Sequence, residues 1–291
     1  MLKRLARSLV DRVKTWLHEE TETVDPVWWL QSDSVGDHLN YHLLQMRKAR
    51  ADLRAHYAWG VLSAAHIAKG LGVPRISVIE FGVAGGNGLV ALEQIAEDVS
   101  RLYGIGIDAI GFDTGVGLPK PKDYRDLPNL YRASGFRMDE AKLRARLKHA
   151  RLILGDVAET IRGFMESAPA PVGFVAIDLD LYTSTMAAFQ LFEGAAALLL
   201  PRVYCYFDDI LGETFSEFSG ERLAIAEFNA AHEMRKISPI FGLRYYLQPP
   251  HTMEAWPELM FIAHLFDHEL YGRYTGPLRD TGGRTDMQPP N

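Results

Sequence analysis

The 291-residue sequence contains a single cysteine, Cys205, and no long hydrophobic run. One cysteine excludes an intramolecular disulfide and any cysteine-based zinc cage, and it fits a reducing compartment. The longest apolar runs, such as the GAAALLL stretch that ends at Leu200, fall well short of the ~20 residues of a membrane span. We therefore expect a soluble, cytoplasmic protein without a membrane span.

The sequence also lacks an excess of positive charge. Its 31 Lys and Arg residues stand against 37 Asp and Glu residues, which gives a formal net charge of −6. This balance argues against a nucleic-acid partner bound through bulk charge. With 47% hydrophobic and 23% charged residues, the chain can bury a core and lies outside the disordered composition class.

The first twenty residues are basic, but they contain no continuous apolar segment of the kind that a targeting peptide needs. Their apolar residues recur at helical spacing: Leu2, Leu5, Leu9, Val13, Trp16 and Leu17. This pattern predicts an amphipathic helix that docks on the body of the protein or on a second subunit, with a membrane-surface helix as the alternative. We expect a homo-oligomer formed through the N-terminal helices.

From Ile76 onward, short apolar runs alternate with longer helical patterns. The strand candidates are ISVIEF from Ile76, IGIDAIGF from Ile105, RLIL from Arg151, GFVAID from Gly173 and RVYCYF from Arg202. This alternation predicts a mostly parallel sheet with helices on both faces. Two further candidates, FGLRYYL from Phe241 and LMFIAHLF from Leu259, would pair as an antiparallel hairpin at one edge. We predict a helical extension over 1–60, an α/β domain over 61–274 and a disordered tail over 275–291.

Ligands of such sheets bind beyond the carboxyl ends of the strands, so the residues that follow each strand are informative. The first strand ends in Glu80 and a glycine-rich turn. Ala84 stands where a dinucleotide motif would have its second glycine, and Glu80 suits a cationic amine. Asp113, after the second strand, either accepts hydrogen bonds from two ribose hydroxyls or forms an Asx-turn. Asp156, after the third, either caps a helix or accepts an adenine amino group.

Four carboxylates follow the next two strands: Asp178 and Asp180 after the fourth, and Asp208 and Asp209 after the fifth. Acids gathered at neighbouring strand ends repel one another unless a cation or a shared proton offsets their charge. A set of oxygen ligands without His or Cys selects Mg²⁺, Mn²⁺ or Ca²⁺ over zinc. For each acid taken alone the alternative is a helix N-cap, but that explanation is weaker for the four acids together.

Five segments carry a resemblance to a known family: IEFGVAGGNG, GFDTGVGLP, GDVAET, IDLDLYTST and YFDDI. In this order they resemble the motifs of class I S-adenosylmethionine-dependent methyltransferases. The sequence is most similar to the macrocin and mycinamicin O-methyltransferase-like branch, which methylates sugar hydroxyls of natural products with a divalent metal. The resemblance implies a Rossmann-like sheet, mostly parallel with an antiparallel C-terminal edge strand, and S-adenosylmethionine and Mg²⁺ as cofactors.

The resemblance also implies roles for individual residues. Those expected around the cofactor are Glu80, Gly82, Val83, Gly86 and Asn87 near its methionine part, Asp113 and Thr114 near the ribose, and Asp156 and Val157 near the adenine. Ala84 and Asp178 are also expected to bind the cofactor. The implied metal ligands are Asp178, Asp208 and Asp209. Asp180 is the implied general base, so Asp178 and Asp180 are the expected catalytic pair.

The methyl acceptor is not readable from the sequence, because the N-terminal extension and the loops would build its pocket. Residues there that could stack on or hydrogen-bond to a ring are Trp28, Trp29, His38, His42, His56, Tyr57, Tyr124, Tyr131 and Arg132. The predicted function is O-methylation of a hydroxyl on a small molecule or sugar-bearing natural product. The alternatives are a metal-independent methyltransferase, an NAD(P)-dependent oxidoreductase on a related sheet, and a non-catalytic relative that binds S-adenosylmethionine.

Overall fold

The computed structural model describes residues 35–212 and 215–276. Its strands are β1 Arg75–Phe81, β2 Gly106–Asp113, β3 Arg151–Leu154, β4 Val172–Ile177, β5 Leu199–Phe207, β6 Arg235–Pro239 and β7 Met260–Leu265. Its α-helices are α1 Val35–Ala49, α2 Ala55–Leu71, α3 Asn87–Tyr103, α4 Glu140–Arg144, α5 Val157–Glu166, α6 Tyr182–Glu193, α7 Gly220–Ala231 and α8 Leu243–Tyr246.

The strands form one seven-stranded sheet in the order β3-β2-β1-β4-β5-β7-β6. Strands β1 to β5 pair in parallel, and β7 lies antiparallel between β5 and β6. The chain order reverses between β1 and β4, which creates a switch point where the carboxyl ends of the strands diverge. The predicted fold class, a mostly parallel Rossmann-like sheet with an antiparallel strand near its C-terminal edge, is confirmed.

Residues of β5 that lie an odd number of positions apart pack against helices on opposite faces of the sheet, as the two-residue period of a strand requires. The ring of Tyr204 contacts that of Trp59 in α2, whereas Phe207 contacts Phe189 in α6. Cys205 lies between them and is fully buried, and burial raises the pKa of its thiol to about 12. The near-continuous apolar sequence of the central strands therefore follows from cover on both faces.

The C-terminal edge differs from the prediction in one element. FGLRYYL, expected as a strand, contains the short helix α8, and Gly242 precedes it with a φ of 74°. The strand that pairs with β7 at this edge is instead Arg235–Pro239. An edge strand buries little of one face, so this polar segment carries a weak strand pattern.

Helix α1 and the first part of α2 fall within the predicted helical extension over 1–60, but the predicted boundary at residue 60 lies inside α2. Helix α2 packs against β1, β4 and β5 and so belongs to the sheet domain. The predicted N-terminal amphipathic helix, the Trp28-Trp29 pair and the tail from 277 lie outside the described residues, as does the proposed oligomer contact. In the described part of the chain, no helix has the length and apolarity needed to cross a membrane.

Candidate active site

A cavity of about 300 Å³ opens at the carboxyl ends of five strands, at the switch point of the sheet. Its walls come from the segments that follow β1 to β5 and from the long loop after β2. The lining residues are Gly82, Ala84, Phe112, Asp113, Thr114, Gly117, Leu118, Pro119, Phe136, Gly155, Asp156, Val157, Asp178, Leu179, Asp180, Ser184 and Asp208. Five of them are aspartates, and none is Lys, Arg or His, so the cavity favours a cationic ligand.

Three carboxylates, two of which line this cavity, lie close together at the ends of β4 and β5. Asp178, Asp180 and Asp209 each place one oxygen so that the three atoms lie within 4.8 Å of one another. The backbone of Asp180 has a φ of 61°, a left-handed conformation that Asp tolerates better than most residues. Its N–H donates to Asp209 Oδ2 at 3.1 Å, which fixes the ends of β4 and β5 against each other. We call Asp178, Asp180 and Asp209 the acid trio.

Burial and mutual repulsion disfavour negative charge on the acid trio. Burial, and then the charges of the neighbouring acids, raise the pKa of Asp178 to about 8. Burial and Asp209 together raise the pKa of Asp180 to about 7, and burial also raises the pKa of Asp209. Because the ionised form is destabilised in each case, a bound cation or shared protons would reduce the repulsion between these carboxylates.

The acid trio differs from the predicted metal set, which contained Asp208 in place of Asp180. Asp208 lines the same cavity, but its Oδ1 accepts a hydrogen bond from the hydroxyl of Tyr206 at 2.5 Å. The ring of Tyr206 stacks on His56, with 4.3 Å between ring centroids. Burial lowers the pKa of His56 to about 3, so this imidazole is neutral at physiological pH. Asp208 thus lies at the border between the acid trio and an aromatic wall.

The glycine-rich turn is held in place by Asp113. Asp113 Oδ2 accepts from the N–H groups of Val83 and Ala84 at 2.9 and 2.8 Å, and its Oδ1 accepts from Gly115 at 2.6 Å. The turn also approaches β4 closely, because a Cβ on Gly82 would lie 1.7 Å from the carbonyl oxygen of Asp178. Asp113 therefore shapes the cavity wall, and its Oδ1 keeps one lone pair for a ligand hydroxyl.

Glu80 lies beneath the turn and does not reach the cavity surface. Its side chain is 2% exposed, its Oε1 accepts from the hydroxyl of Tyr57 at 2.7 Å, and its Oε2 has no hydrogen-bond partner. Burial raises the pKa of Glu80 to about 7. An unpartnered buried carboxylate oxygen is costly, and a cation above it would offset that cost.

The other predicted cofactor residues fall into two groups. Gly82, Ala84, Thr114, Asp156 and Val157 line the cavity, and Asp156 also caps α5 by accepting from the N–H of Ala158 at 2.9 Å.

Val83, Gly86 and Asn87 do not line the cavity. The Asn87 side chain is exposed and accepts from Arg146 at 2.7 Å. Gly86 is covered by Leu143, and Val83 is buried in the core.

Two carboxylates near the site were not predicted. Glu221, in the first turn of α7, is fully buried and accepts from the N–H of Asp209 at 3.0 Å. Asp126, in the loop after β2, is also fully buried and accepts from the N–H of Thr183 at 2.8 Å. An acid in a first helical turn or in a loop resembles an ordinary surface residue in a sequence, so no pattern distinguished either of them.

Solved structures of methyltransferases are similar to this chain. CalS11, a calicheamicin methyltransferase, is 22% identical over 70% of this chain and 88% of its own, with a TM-score of 0.47. The O-methyltransferase NovP is 17% identical over 61% of this chain and 72% of its own, with a TM-score of 0.45. An O-methyltransferase from Bacillus cereus in complex with SAH is 16% identical over 69% and 82%, with a TM-score of 0.35. No family model matches the sequence, and no curated protein matches it.

Proposed function

We propose that the protein is an S-adenosylmethionine-dependent O-methyltransferase that acts on a hydroxyl of a small molecule or sugar-bearing natural product with the help of a divalent metal. One observation carries this proposal: a cavity at the switch point has five aspartates and no basic residue in its lining, and two members of the acid trio, Asp178 and Asp180, are among these aspartates. A sulfonium donor is cationic, so such a cavity attracts it and releases the neutral thioether after transfer.

The donor fits along the first part of the cavity. Asp113, Thr114, Asp156 and Val157 line this part of the cavity. In the proposed arrangement Asp113 and Thr114 hold the ribose, and Asp156 and Val157, at the start of α5, hold the adenine. The turn at Gly82 and Ala84 passes next to Asp178, so a donor along this wall would bring its methyl group toward the acid trio. When bound, S-adenosylmethionine supplies the methyl group in an in-line displacement, for which alignment of donor and acceptor is the main requirement.

Asp180 is the proposed general base. Its carboxylate is half-buried beside the cavity, and its raised pKa, about 7, suits proton transfer near neutral pH. As the bond from the acceptor oxygen to the methyl carbon forms, the bond from sulfur to that carbon breaks. The hydroxyl proton passes to Asp180, and the sulfur leaves as a neutral thioether.

The acid trio fits a hard divalent cation. It offers only carboxylate oxygens, and no Lys, Arg or His of the described residues forms an ion pair with its members. Asp178 and Asp209 would hold the metal, and Asp208 lines the same cavity. When bound, such a metal lowers the pKa of an acceptor hydroxyl and orients it.

The test is methyl transfer from labelled S-adenosylmethionine to a panel of polyhydroxylated glycosides and phenols, with and without a chelator. We expect labelled product with a metal-dependent rate, and a loss of ~100-fold or more in Asp180→Asn. Asp52→Asn, a change of an exposed aspartate before α2, is the matched control and should leave the rate unchanged.

Calorimetric titration separates the alternatives. S-adenosylmethionine should bind and NAD should not, so binding of NAD alone would make the protein an oxidoreductase candidate. If product still forms when all divalent metal is chelated, the metal requirement is wrong, but the methyltransferase activity is retained. Cofactor binding without transfer to any acceptor would favour a non-catalytic relative.

A further inference from the structure

The loop that covers the donor part of the cavity is also bonded to the acid trio. This loop runs from Thr114 to Asp139, between β2 and α4, and we call it the cover loop. Gly117, Leu118, Pro119 and Phe136 in it line the cavity, whereas Tyr131 extends to the other side and donates from its hydroxyl to Asp209 Oδ1 at 2.8 Å.

The two arms of the cover loop are paired, which links its cavity wall to the segment that carries Tyr131. The N–H of Leu118 donates to Gly135 at 2.9 Å, and the N–H of Ser134 donates to Leu118 at 2.8 Å. The pairing is tight, because a Cβ on Gly117 would lie 2.3 Å from the carbonyl oxygen of Gly135. Two residues separate Tyr131 from this pairing, and the N–H of Tyr131 closes a turn by donating to Leu127 at 3.0 Å.

The base of the cover loop is anchored next to the acid trio as well. Asp126 accepts from the N–H groups of Lys122 and Thr183, both at 2.8 Å, and thereby joins the loop to the start of α6. The guanidinium of Arg125 lies over the ring of Tyr182 at 4.7 Å. The loop therefore has a fixed base at α6, a cavity wall at Leu118 and Phe136, and a single hydroxyl contact with the metal-binding carboxylates.

We propose that Tyr131 is a positioning residue that couples donor binding under the cover loop to metal binding at Asp209. A donor that packs against Leu118 and Phe136 holds the loop closed, which keeps the Tyr131 hydroxyl on Asp209 and orients the carboxylate for the metal. By linkage, a metal on Asp209 must increase donor affinity by the same factor. This inference rests on the proposed function, because the donor and the metal are both part of that proposal.

The experiment measures the affinity of S-adenosylhomocysteine by calorimetry with and without saturating Mn²⁺, and the affinity of Mn²⁺ by electron paramagnetic resonance with and without S-adenosylhomocysteine. The uncharged thioether is used because a sulfonium would repel the metal. In the unmodified protein we expect each ligand to tighten the other by about 5-fold or more. In Tyr131→Phe, which keeps the ring, both ligands should still bind but the coupling factor should fall to about 1. Tyr124→Phe is the control, since Tyr124 lies in the same loop and is 70% exposed, and its coupling factor should be unchanged.

The outcomes are distinguishable. If both ligands bind the unmodified protein without coupling, or if Tyr131→Phe retains the coupling, the role of Tyr131 is overturned while the proposed function stands. If Tyr131→Phe weakens S-adenosylhomocysteine equally with and without Mn²⁺, Tyr131 only stabilises the loop, and the inference is again overturned. If the unmodified protein binds neither ligand, the proposed function fails and this inference fails with it.

Discussion

The hydroxyl of Tyr57 in α2 donates to Glu80 at the end of β1 over 2.7 Å, and both side chains are buried. A helix that covers the sheet is thereby joined to a carboxylate directly beneath the glycine-rich turn. Because the second oxygen of Glu80 has no partner, the contact satisfies only half of the carboxylate.

Glu80 should make the stability of the protein depend on pH. Burial raises its pKa from 4.5 to about 7, so between these values the unfolded chain releases a proton that the folded chain retains. Stability contributed by protonated Glu80 is therefore complete below pH 4.5 and falls as the pH rises to about 7. Asp178 and Asp180, whose pKa values are also raised, likewise make the folded protein less stable as the pH rises.

Glu80→Gln should remove the part of the pH-dependent stability loss that comes from Glu80, roughly 3 kcal/mol. The reason is that Gln stays neutral and still accepts the hydrogen bond from Tyr57. Urea denaturation at about pH 5 and about pH 8 gives the free energy of unfolding, which should fall less for the variant. Equal losses in the variant and the unmodified protein would show that Glu80 does not titrate in this range.

Gly88→Ala should destabilise the first turn of α3. A Cβ at Gly88 would lie 1.6 Å from Glu80 Oε1, so either the helix or the buried carboxylate must shift. We expect a loss of about 1–3 kcal/mol, the usual cost of overpacking, and weaker binding of S-adenosylmethionine. Gly85→Ala is the matched control, because its Cβ would meet no atom within 4 Å, and its thermal midpoint should be nearly unchanged.

Asp156 has two separable roles, as a helix cap and as a cavity carboxylate. Asp156→Ala should lose about 1 kcal/mol of stability through the missing cap of α5, whereas Asp156→Ser should keep the cap. Both should weaken S-adenosylmethionine binding to a similar extent if the carboxylate contacts the donor. Thermal unfolding measures the cap, and calorimetric titration measures donor binding. If Asp156→Ser binds S-adenosylmethionine with unchanged affinity, Asp156 does not contact the donor.

Metal addition should stabilise the protein. A ligand that binds only the folded state at about 100 times its Kd adds about 2.7 kcal/mol, so Mn²⁺ should raise the thermal midpoint and a chelator should reverse the rise. Asp178→Asn and Asp209→Asn should abolish the rise, since both belong to the acid trio. Asp208→Asn should reduce it less, because Asp208 is bonded to Tyr206. A full effect in Asp178→Asn would mean that the metal binds elsewhere.

The sequence predicts the sheet well because its central strands are apolar on both faces and are separated by helical patterns. The carboxyl ends of β4 and β5 were identifiable because Asp178, Asp180, Asp208 and Asp209 each follow such a strand directly. The exchange of Asp180 for Asp208 within the cluster was not predictable. It depends on a φ of 61° at Asp180 and on the hydroxyl of Tyr206, neither of which leaves a pattern in the sequence.

Contacts across long sequence separations account for most of what the sequence did not indicate. Tyr131 was among the residues named for the acceptor pocket, but its partner Asp209 lies 78 positions away. Glu221 resembled a favourable acid at a helix start, yet it is fully buried against the backbone of Asp209. The segment FGLRYYL has strand-forming residues, but Gly242 turns the chain before a ladder can form.

The burial of Cys205 in β5 gives the protein a built-in reporter of sheet opening. Its thiol is fully buried between the strands that flank it, and it is the only one in the sequence. A thiol-specific reagent therefore modifies the chain only after β5 separates from the helices and strands packed around it. The rate at which one label per molecule is incorporated then reports how often the sheet opens. For the same reason, a covalent dimer through cysteine would require two molecules whose sheets have both opened.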